Sequence, residues 1–451
     1  MKEKIEELIS EKKIRDLKAI LSDMQVVDIA ENIKDLEIDE IAKILRLLNK
    51  DMAADLFSEL PLSVETELLS KLTDKEAVFI INEMFADDAA DVLDEMPASI
   101  VRRILKQCDK DTRSDINRLL NYPEDSAGSV MTVEYAELKS DLTIKQAIST
   151  LRKEIDEYET INVCYVVDNR RKLLGHIFLK DILLADPEDN ILDVARKDTV
   201  CVKTTTDQEE VGKLFKKYDL TVMPVVDSED RLVGIITIDD IMDIMEEEAT
   251  EDIEKMAAIS PSDKPYLEIS PWQTWKARIP WLLLLMISAT FTGQIISSFE
   301  TSLAVLPILT AYIPMLMDTG GNAGSQASVT IIRSLSLNQV NFKDIGKVIW
   351  KELRVSIMVG ATLAIANFGK LMLIDNMLLK NNAVTLEVSA VICLTIFMIV
   401  VVAKFIGCTL PILTKKLGFD PTVMASPFIT TIVDALGLLV YFQVATHLLG
   451  I

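Results

Sequence analysis

An aspartate inside a long apolar segment is the residue with the most suggestive chemistry in this sequence. Asp434 lies about halfway along the last apolar segment, and Thr430 and Thr431 precede it by three or four residues. On a helix, this spacing places at least one hydroxyl on the same face as the carboxylate. An ionised carboxylate is costly against lipid, so Asp434 should face a bundle interior, a partner or a water-filled path. An ion pathway satisfies this requirement, and so does an ion pair with Lys404 of the preceding apolar segment.

A second apolar segment contains an unusual run of small and polar residues. Residues 320–326 read Gly-Gly-Asn-Ala-Gly-Ser-Gln, and Asp318 is the only charge nearby. Three glycines weaken a helix and allow another backbone to approach closely. Irregular backbone at membrane depth is tolerated only against protein or water, so the run predicts either a cavity lining or close helix packing. The candidate pore-lining residues are Gly320, Gly321, Asn322, Gly324 and Gln326.

The first 270 residues are strongly acidic. They carry 62 Asp and Glu against 35 Lys and Arg, a net charge of −27, whereas residues 271–451 carry 8 against 12. An anionic surface repels nucleic acid and attracts cations. Residues 246–254 alone hold six acids at spacings that destabilise an isolated helix, and either a bound cation or basic neighbours would relieve this repulsion. A second group of acids is predicted on helix surfaces at Asp87, Asp88, Asp91, Asp94 and Glu95, where solvation by water is the alternative.

Several kinds of chemistry are excluded. The sequence contains only two histidines, His176 and His447, which are far apart, so neither a zinc site of the His-Glu-x-x-His kind nor a histidine-dependent triad is expected. Five cysteines are scattered without a Cys-x-x-Cys pair, as is typical of reduced cytosolic protein. The first residues are charged and helical in pattern, which argues against a signal peptide.

Five segments are long enough to cross a bilayer, which takes about 20 apolar residues. Basic residues are concentrated before the first segment, between the second and third, and between the fourth and fifth. By the positive-inside rule these loops are cytoplasmic, so the acidic N-terminal part is cytosolic and the C-terminus lies outside. The predicted spans are Ile279–Phe299, Leu303–Ile332, Val355–Ile374, Val388–Thr414 and Pro421 to the C-terminus.

An internal repeat occupies residues 131–250. Val167 and Val226, Gly175 and Gly234, and Asp181 and Asp240 are each separated by 59 residues. Each copy predicts an amphipathic helix, a strand, an acidic turn, a second strand and an acid-capped helix. The arrangement resembles a tandem cystathionine-β-synthase (CBS) domain pair, a regulatory module that commonly binds adenine nucleotides or ions. The resemblance implies nucleotide contacts at Thr237, Asp240, Lys180 and Asp181. In the first copy, Phe178 stands in the place of the threonine.

Residues 1–125 predict a stack of short helices. Ala53-Ala-Asp-Leu56 recurs 36 residues later as Ala89-Ala-Asp-Val92, and each copy is followed by a proline. Repeated helix pairs that bury one face on their neighbours predict a solenoid-like stack. Downstream of the repeat at 131–250, residues 242–264 predict an acidic helix that joins the cytosolic part to the first span.

An acidic helical repeat, a CBS pair, an acidic connecting helix and five spans occur together in the MgtE family of magnesium channels and transporters. The chain resembles a full-length member, most specifically at Gly320–Gln326, at Glu248–Asp252 and in the segment from Pro421 through Asp434 to Gly437. The fold class is therefore multidomain, with an all-α N-terminal part, an α/β CBS pair, a long connecting helix and a five-span α-helical transmembrane part. The predicted domains are an N domain at 1–126, CBS domains at 127–192 and 193–245, a connecting helix at 246–270 and a transmembrane domain at 271–451.

The resemblance implies a function and a set of sites. It implies a homodimer in the bacterial plasma membrane that takes up Mg²⁺. The pore would lie between the second and fifth spans, and it would close when Mg²⁺ binds the cytosolic domains. It implies Mg²⁺ and ATP as ligands, no nucleic-acid partner and no enzymatic activity. The alternative to a channel is a cation-coupled secondary transporter of divalent metals. The implied pore ligands are Asp434, Thr430, Thr431 and Asp420. The implied regulatory ligands are Asp88, Asp91, Glu95, Asp207, Glu209, Asp219, Asp240, Asp243, Glu248, Glu251 and Asp252.

Overall fold

The structure is a computed structural model that describes residues 1–262, 264, 266–267, 269–424 and 426–450. The chain divides into two compact units, an N-terminal unit of residues 1–246 and a C-terminal unit of residues 247–451. Each unit has its own hydrophobic core, so each is described by itself.

Short helices that begin every twelve residues build the first part of the N-terminal unit. Their bounds are α1 Lys2–Ser10, α2 Ile14–Ser22, α3 Val26–Ile33, α4 Ile38–Leu45, α5 Lys50–Ser58, α6 Leu62–Lys71, α7 Asp74–Glu83, α8 Ala86–Asp94, α9 Ala98–Leu105 and α10 Lys110–Leu119. A helix of eight to ten residues and a short turn fill each period. The 36-residue sequence repeat therefore contains three helices, and the predicted helix pair is wrong. Each helix from α3 to α8 packs on the helix two places further along, which buries side chains such as Ile41, Leu56 and Leu93.

Two similar small sheets follow, one for each copy of the sequence repeat. In both, the first strand is parallel to the second and the second is antiparallel to the third. Val166 pairs with Gly175 in the first sheet and Val225 with Gly234 in the second, which confirms the repeat. The bounds are β1 Tyr135–Lys139, α11 Ile144–Lys153, β2 Thr160–Val167, β3 Leu173–Phe178, α12 Leu179–Leu184, α13 Ile191–Val194, β4 Val202–Lys203, α14 Gln208–Tyr218, β5 Val222–Val226 and β6 Leu232–Thr237.

The acidic connecting segment begins as a helix directly after the second sheet. This helix, α15 Ile238–Met256, starts in the N-terminal unit and ends in the C-terminal unit. Its first turn is capped by Asp240, whose carboxylate accepts hydrogen bonds from the backbone and hydroxyl of Thr237. Beyond Met256 the chain leaves the helical path before the first long apolar helix begins.

Long helices build the C-terminal unit. Their bounds, with one short helix among them, are α16 Pro271–Ser298, α17 Glu300–Val305, α18 Ile308–Ser336, α19 Ile345–Lys370, α20 Leu386–Lys416 and α21 Ser426–Leu449. The helix of α19 continues with π-type hydrogen bonding over Leu371–Leu378. Within the described residues, four helical stretches are long and apolar enough to cross a membrane, namely Pro271–Ser298, Phe342–Leu378, Leu386–Lys416 and Pro421–Leu449.

The second predicted span, α18, does not reach that apolarity, because its middle carries the run of small and polar residues. The predicted spans are apolar stretches, and two helices extend beyond them: α16 begins at Pro271 rather than Ile279, and α19 begins at Ile345 rather than Val355. In the second predicted span, α18 begins only at Ile308, directly after Pro307. The core of this unit lies between α18, α20 and α21.

Candidate ion pathway and acidic clusters

Asp434 lies near the middle of α21 with its side chain partly exposed. The hydroxyls of Thr430 and Thr431 both donate to the backbone oxygen of Pro427, over 2.9 and 3.0 Å. This bond uses the hydroxyl proton and leaves oxygen lone pairs available to a cation or water. Asp434 therefore sits one helical turn from two hydroxyl oxygens, as its sequence spacing predicts.

The glycines of α18 pack against neighbouring helices. A side chain at Gly320 or Gly324 would meet Val433 of α21, and one at Gly321 would meet Thr430. These three glycines are buried, so the structure favours the helix-packing alternative for them. The helix runs unbroken through them, so close packing offsets the weak helix propensity of the three glycines.

The opposite face of α18 is polar and exposed. Asp318, Asn322, Gln326 and Thr330 follow one another at four-residue spacing, and all four are exposed; we call them the polar stripe. The Asn322 amide donates to the Asp318 carboxylate over 3.1 Å. Gly320 packs against Val433 and Met317 packs against Gly437, so Asp318 and Asp434 lie at about the same level of the contact between α18 and α21. Asn322 and Gln326 thus remain candidates for lining a pathway.

Lys404 of α20 has another partner than the one the sequence suggested. Its ammonium lies 3.8 Å from the carboxylate of Glu352 on α19, and both side chains are almost fully buried. Within the residues that the structure describes, Lys404 therefore forms no ion pair with Asp434. This leaves Asp434 without the basic partner that the structural alternative required.

Asp420 lies at the start of the last helical stretch and pairs with the connecting helix. The Lys255 ammonium is 2.6 Å from the Glu251 carboxylate and 3.2 Å from that of Asp420. The other oxygen of Asp420 accepts from the backbone of Thr422 over 2.8 Å. A basic neighbour thus relieves part of the repulsion predicted for residues 246–254, and Asp420 is held by that neighbour.

An acidic cluster gathers between α8 and the second sheet of the N-terminal unit. Burial raises the pKa of Asp88 to about 6, and the charge of Asp240 adds to the shift. Burial likewise raises the pKa of Glu159 to about 7, with further contributions from Asp239 and Asp240. Asp87 has a buried carboxylate oxygen without a hydrogen-bond partner among the described residues, and burial raises its pKa well above the ordinary range. Several carboxylates therefore share a volume in which full ionisation is unfavourable.

Two further acids extend this cluster. Glu134 accepts hydrogen bonds from Thr132, from the Val133 backbone and from the first backbone amide of α8, which fixes it beside Asp87. Glu65 of α6 is only 5% exposed. Burial raises the pKa of Glu65 to about 9, and the charges of Asp88 and Asp91 reinforce the shift.

The carboxylates are not arranged as a tight metal cage. Among the described residues, no group of three or more acidic, histidine or cysteine side chains converges closely enough to hold a bare ion. Mg²⁺ does not require such a cage, because it usually keeps several waters and binds through one or two carboxylates.

The remaining predicted ligands mostly have local partners. Asp207 caps α14, Glu209 pairs with Lys213 over 2.6 Å, and Asp219 ends α14 in a left-handed conformation. Asp181 pairs with Arg196 over 3.1 Å, and the Lys180 ammonium lies over the Phe178 ring. The structure does not bring these residues to the cluster around Asp88. Asp91, Glu95, Glu248 and Asp252 each take part in polar interactions, and Asp243 contributes its charge to the surroundings of Asp240.

Comparison with known proteins places these features in a family. Residues 313–444 match the MgtE family of divalent cation transporters, and residues 24–125 match the MgtE intracellular N domain. Residues 191–247 match the CBS domain. The magnesium transporter MgtE of Thermus thermophilus is 38% identical over 348 residues, which cover 77% of this chain and 75% of that protein.

This chain belongs to the MgtE family. The magnesium transporter MgtE of Bacillus subtilis is 35% identical over 331 residues, which cover 73% of this chain and 71% of that protein. These relatives are transporters, which confirms the resemblance drawn from the sequence and the prediction that the chain is not an enzyme.

Two solved structures resemble the cytosolic part. The cytosolic domain of the Mg²⁺ channel MgtE in complex with ATP is 35% identical with a TM-score of 0.52, and covers 54% of this chain and all of that one. The soluble part of a magnesium transporter is 26% identical with a TM-score of 0.52, and covers 55% of this chain and 98% of that one. A helical N domain and a CBS pair followed by membrane-spanning helices are thus the architecture of this MgtE-family chain.

Sequence reasoning did not identify every member of the acidic cluster around Asp88. Glu65, Glu134 and Glu159 each lie in a different part of the sequence, with no acidic run around Glu65 or Glu134. Their signal is three-dimensional, since each becomes significant only when packing buries it near Asp88 or Asp240.

Proposed function

We propose that this MgtE-family chain forms a homodimeric, Mg²⁺-selective channel in the bacterial plasma membrane. The acidic N-terminal unit lies in the cytoplasm, the C-terminus lies outside, and the inward-negative potential drives Mg²⁺ uptake. Each elementary charge gains about 2.3 kcal/mol per 100 mV on entering.

One observation carries this proposal. Asp434 lies in an apolar helix, keeps part of its side chain exposed, lies at the level of the acidic end of the polar stripe, and is not paired with Lys404. A carboxylate in that setting is stable when water or a cation reaches it. Two copies of Asp434 across a dimer axis, with Thr430 and Thr431 nearby, would balance the charge of a Mg²⁺ that keeps its water shell.

The test is current through the full chain reconstituted in planar bilayers. Asp434→Asn keeps the size of the side chain and removes its charge, so we expect Mg²⁺ current to be lost. Glu300→Gln, which removes an exposed acid outside the long helices, is the matched control and should conduct normally. Normal Mg²⁺ current through Asp434→Asn would refute the pore assignment.

We also propose that cytosolic Mg²⁺ closes the channel through the acidic cluster of the N-terminal unit. Burial makes ionised carboxylates around Asp88, Asp240 and Glu159 costly, and a divalent cation would offset that cost. Cations would therefore favour arrangements in which these acids are close together, by about 1–3 kcal/mol per site. α15 leads directly from Asp240 to the C-terminal unit and can carry this preference to the pore.

Recording with Mg²⁺ titrated on the cytosolic face tests this regulation. Asp240→Asn should raise the concentration that halves the current about tenfold, which corresponds to about 1.4 kcal/mol of lost coupling. Asp94→Asn, which removes an exposed acid from α8, should leave that concentration unchanged. If both variants behave like the parent, the cluster is not the sensor.

A second candidate function is cation-coupled secondary transport. The specific observation in its favour is a further carboxylate, Asp318, which lies at the level of Asp434 in the contact between α18 and α21 and could relay a proton. Vesicles loaded with a Mg²⁺ dye and a pH dye separate the two functions. Mg²⁺ entry coupled to a pH change favours the transporter, and unitary currents without a pH change favour the channel.

We further propose that the CBS pair binds ATP, as the related cytosolic domain does in its crystal structure. Thr237 and Asp240, which form a hydrogen-bonded pair at the start of α15, would hold the ribose and phosphate. Calorimetry on the full chain with ATP and Mg²⁺ tests this assignment, and Thr237→Val should weaken binding. Equal binding by the variant would place the nucleotide elsewhere.

A further inference from the structure

Two opposite charges lie buried between membrane helices, and neither residue is among the pore ligands named above. Lys404 of α20 and Glu352 of α19 are 7% and 13% exposed, and their nearest N and O atoms are 3.8 Å apart. This separation is too long for a hydrogen bond. A loose buried pair recovers little of the cost of removing two charges from water, so it is a poor means of joining two helices.

The pair borders an open cavity lined by residues of α18, α19 and α20. Its volume is 840 Å³, and its wall includes Asn322, Gln326, Thr330, Glu352 and Lys404 beside apolar residues such as Val355. A water molecule occupies about 30 Å³ of liquid, so this space is large enough for many waters. Water there would reduce the cost of placing two charges in spanning helices.

The same wall contains three members of the polar stripe. Asn322, Gln326 and Thr330 line the cavity, and the stripe continues to Asp318, which lies at the level of Asp434 where α18 packs on α21. At 1.5 Å per residue, Thr330 lies about 18 Å along α18 from Asp318. A cation that follows the stripe away from Asp434 therefore passes the Lys404 and Glu352 charges.

We propose that Lys404 and Glu352 determine the electrostatic selectivity of the cytosolic half of the ion pathway. Lys404 opposes the passage of cations, and Glu352 offsets most of this opposition, so the pair adjusts how readily a divalent ion passes. The inference rests on the proposed channel function. It adds a pair of specificity-determining residues, on two different helices, to the single residue Asp434.

The test compares two neutralising variants in planar bilayers. Lys404→Gln leaves Glu352 unopposed and should raise Mg²⁺ current about threefold at low salt, while Glu352→Gln unmasks Lys404 and should lower it about threefold. The double variant restores neutrality and should conduct like the parent. Because screening weakens such effects, all differences should shrink in high salt.

A purely structural pair predicts a different pattern. Both single variants would then lose current together, without dependence on salt, and this result would overturn the inference. A parent chain that passes no Mg²⁺ current would refute the proposed function as well. A parent that conducts, with Asp434→Asn inactive and both single variants unchanged, would refute only the role of the pair.

Chemical modification keeps the inference testable if a neutral variant folds poorly. Lys404→Cys should react from the cavity with methanethiosulfonate reagents, and the cationic reagent should restore parental current while the anionic reagent should increase it. The parent chain controls for its five native cysteines. A cysteine at position 404 that is unreactive, or that responds equally to both reagents, would overturn the inference.

Discussion

Glu65→Gln tests how much a buried acid destabilises the folded N-terminal unit. Glu65 is 5% exposed, and burial beside Asp88 and Asp91 raises its pKa from 4.5 to about 9. At pH 7.5 the folded chain therefore holds a proton that the unfolded chain has lost. Over the three pH units above 4.5, this difference destabilises the folded unit by up to about 4 kcal/mol. Glutamine has the same shape and no proton to take up, so we expect stabilisation of about 2–4 kcal/mol at pH 7.5.

The sign of the effect follows from the direction of the shift. Below pH 4.5 both states of the parent hold the proton, so Glu65→Gln gains nothing there. Between pH 4.5 and about 9 the gain should grow by about 1.4 kcal/mol per pH unit, and above pH 9 it should be constant. The measurement is urea unfolding of the full chain in detergent at pH 5, 6.5 and 8, read by brief proteolysis of residues 1–246.

The matched control lies on the same helix. Glu67 is 56% exposed and pairs with Lys71 over 3.2 Å, and such exposed pairs contribute under about 1 kcal/mol. Glu67→Gln should therefore change stability little, with a weak pH dependence. If Glu65→Gln gives no gain in the free energy of unfolding at pH 8, or the same gain at pH 5 and pH 8, then Glu65 is not buried in its protonated state.

Two further predictions concern the C-terminal unit. Lys255→Gln removes the cation shared by Glu251 and Asp420, so we expect cytosolic Mg²⁺ to close the channel at about two- to fivefold lower concentration, because both carboxylates become available. Patch recording measures this shift, and an unchanged or weaker response to Mg²⁺ would contradict it. Gly407→Ala places a methyl group against the facing backbone of α18, which cannot move aside, so we expect a clear drop in thermal unfolding temperature. Gly369→Ala, where the added methyl group meets nothing within 4 Å, should not lower it, and equal effects of the two substitutions would contradict the tight crossing.

Local patterns predicted the elements of this chain better than their assembly. The 59-residue spacing from Val167 to Val226 identified both small sheets, because strands, turns and caps are encoded by neighbouring residues. In the first 125 residues the 36-residue sequence repeat was recognisable, but the twelve-residue spacing of the helices was not. Only two of these ten helices have a capping side chain, Asn49 before α5 and Thr73 before α7, so most of the helix starts carry no strong local signal.

For the candidate sites, too, local sequence predicted single residues better than the way those residues are brought together. Asp434 was identifiable from sequence, since a charge in an apolar segment is informative without coordinates. The orientation of α18 was not, because nothing in Gly320–Gln326 indicates which residues face α20 and α21. Likewise, Lys404 was a candidate partner of Asp434 because it is the one charge of the preceding predicted span, and only the packing of α19 on α20 shows that its partner is Glu352.

In the proposed function, both units place carboxylates where their charge is costly, and this common feature would allow one ion to be both cargo and signal. Burial raises the pKa values of Asp88 and Asp240, and a bound cation would offset the cost of their ionised forms. At Asp434, a passing cation would likewise stabilise a carboxylate in an apolar helix. The two sites need different affinities, because a pore ion must leave and a sensor ion must stay. A single acid per subunit with retained waters suits the first requirement. Several acids from separate helices, whose repulsion is relieved together, suit the second and make the response to Mg²⁺ steep.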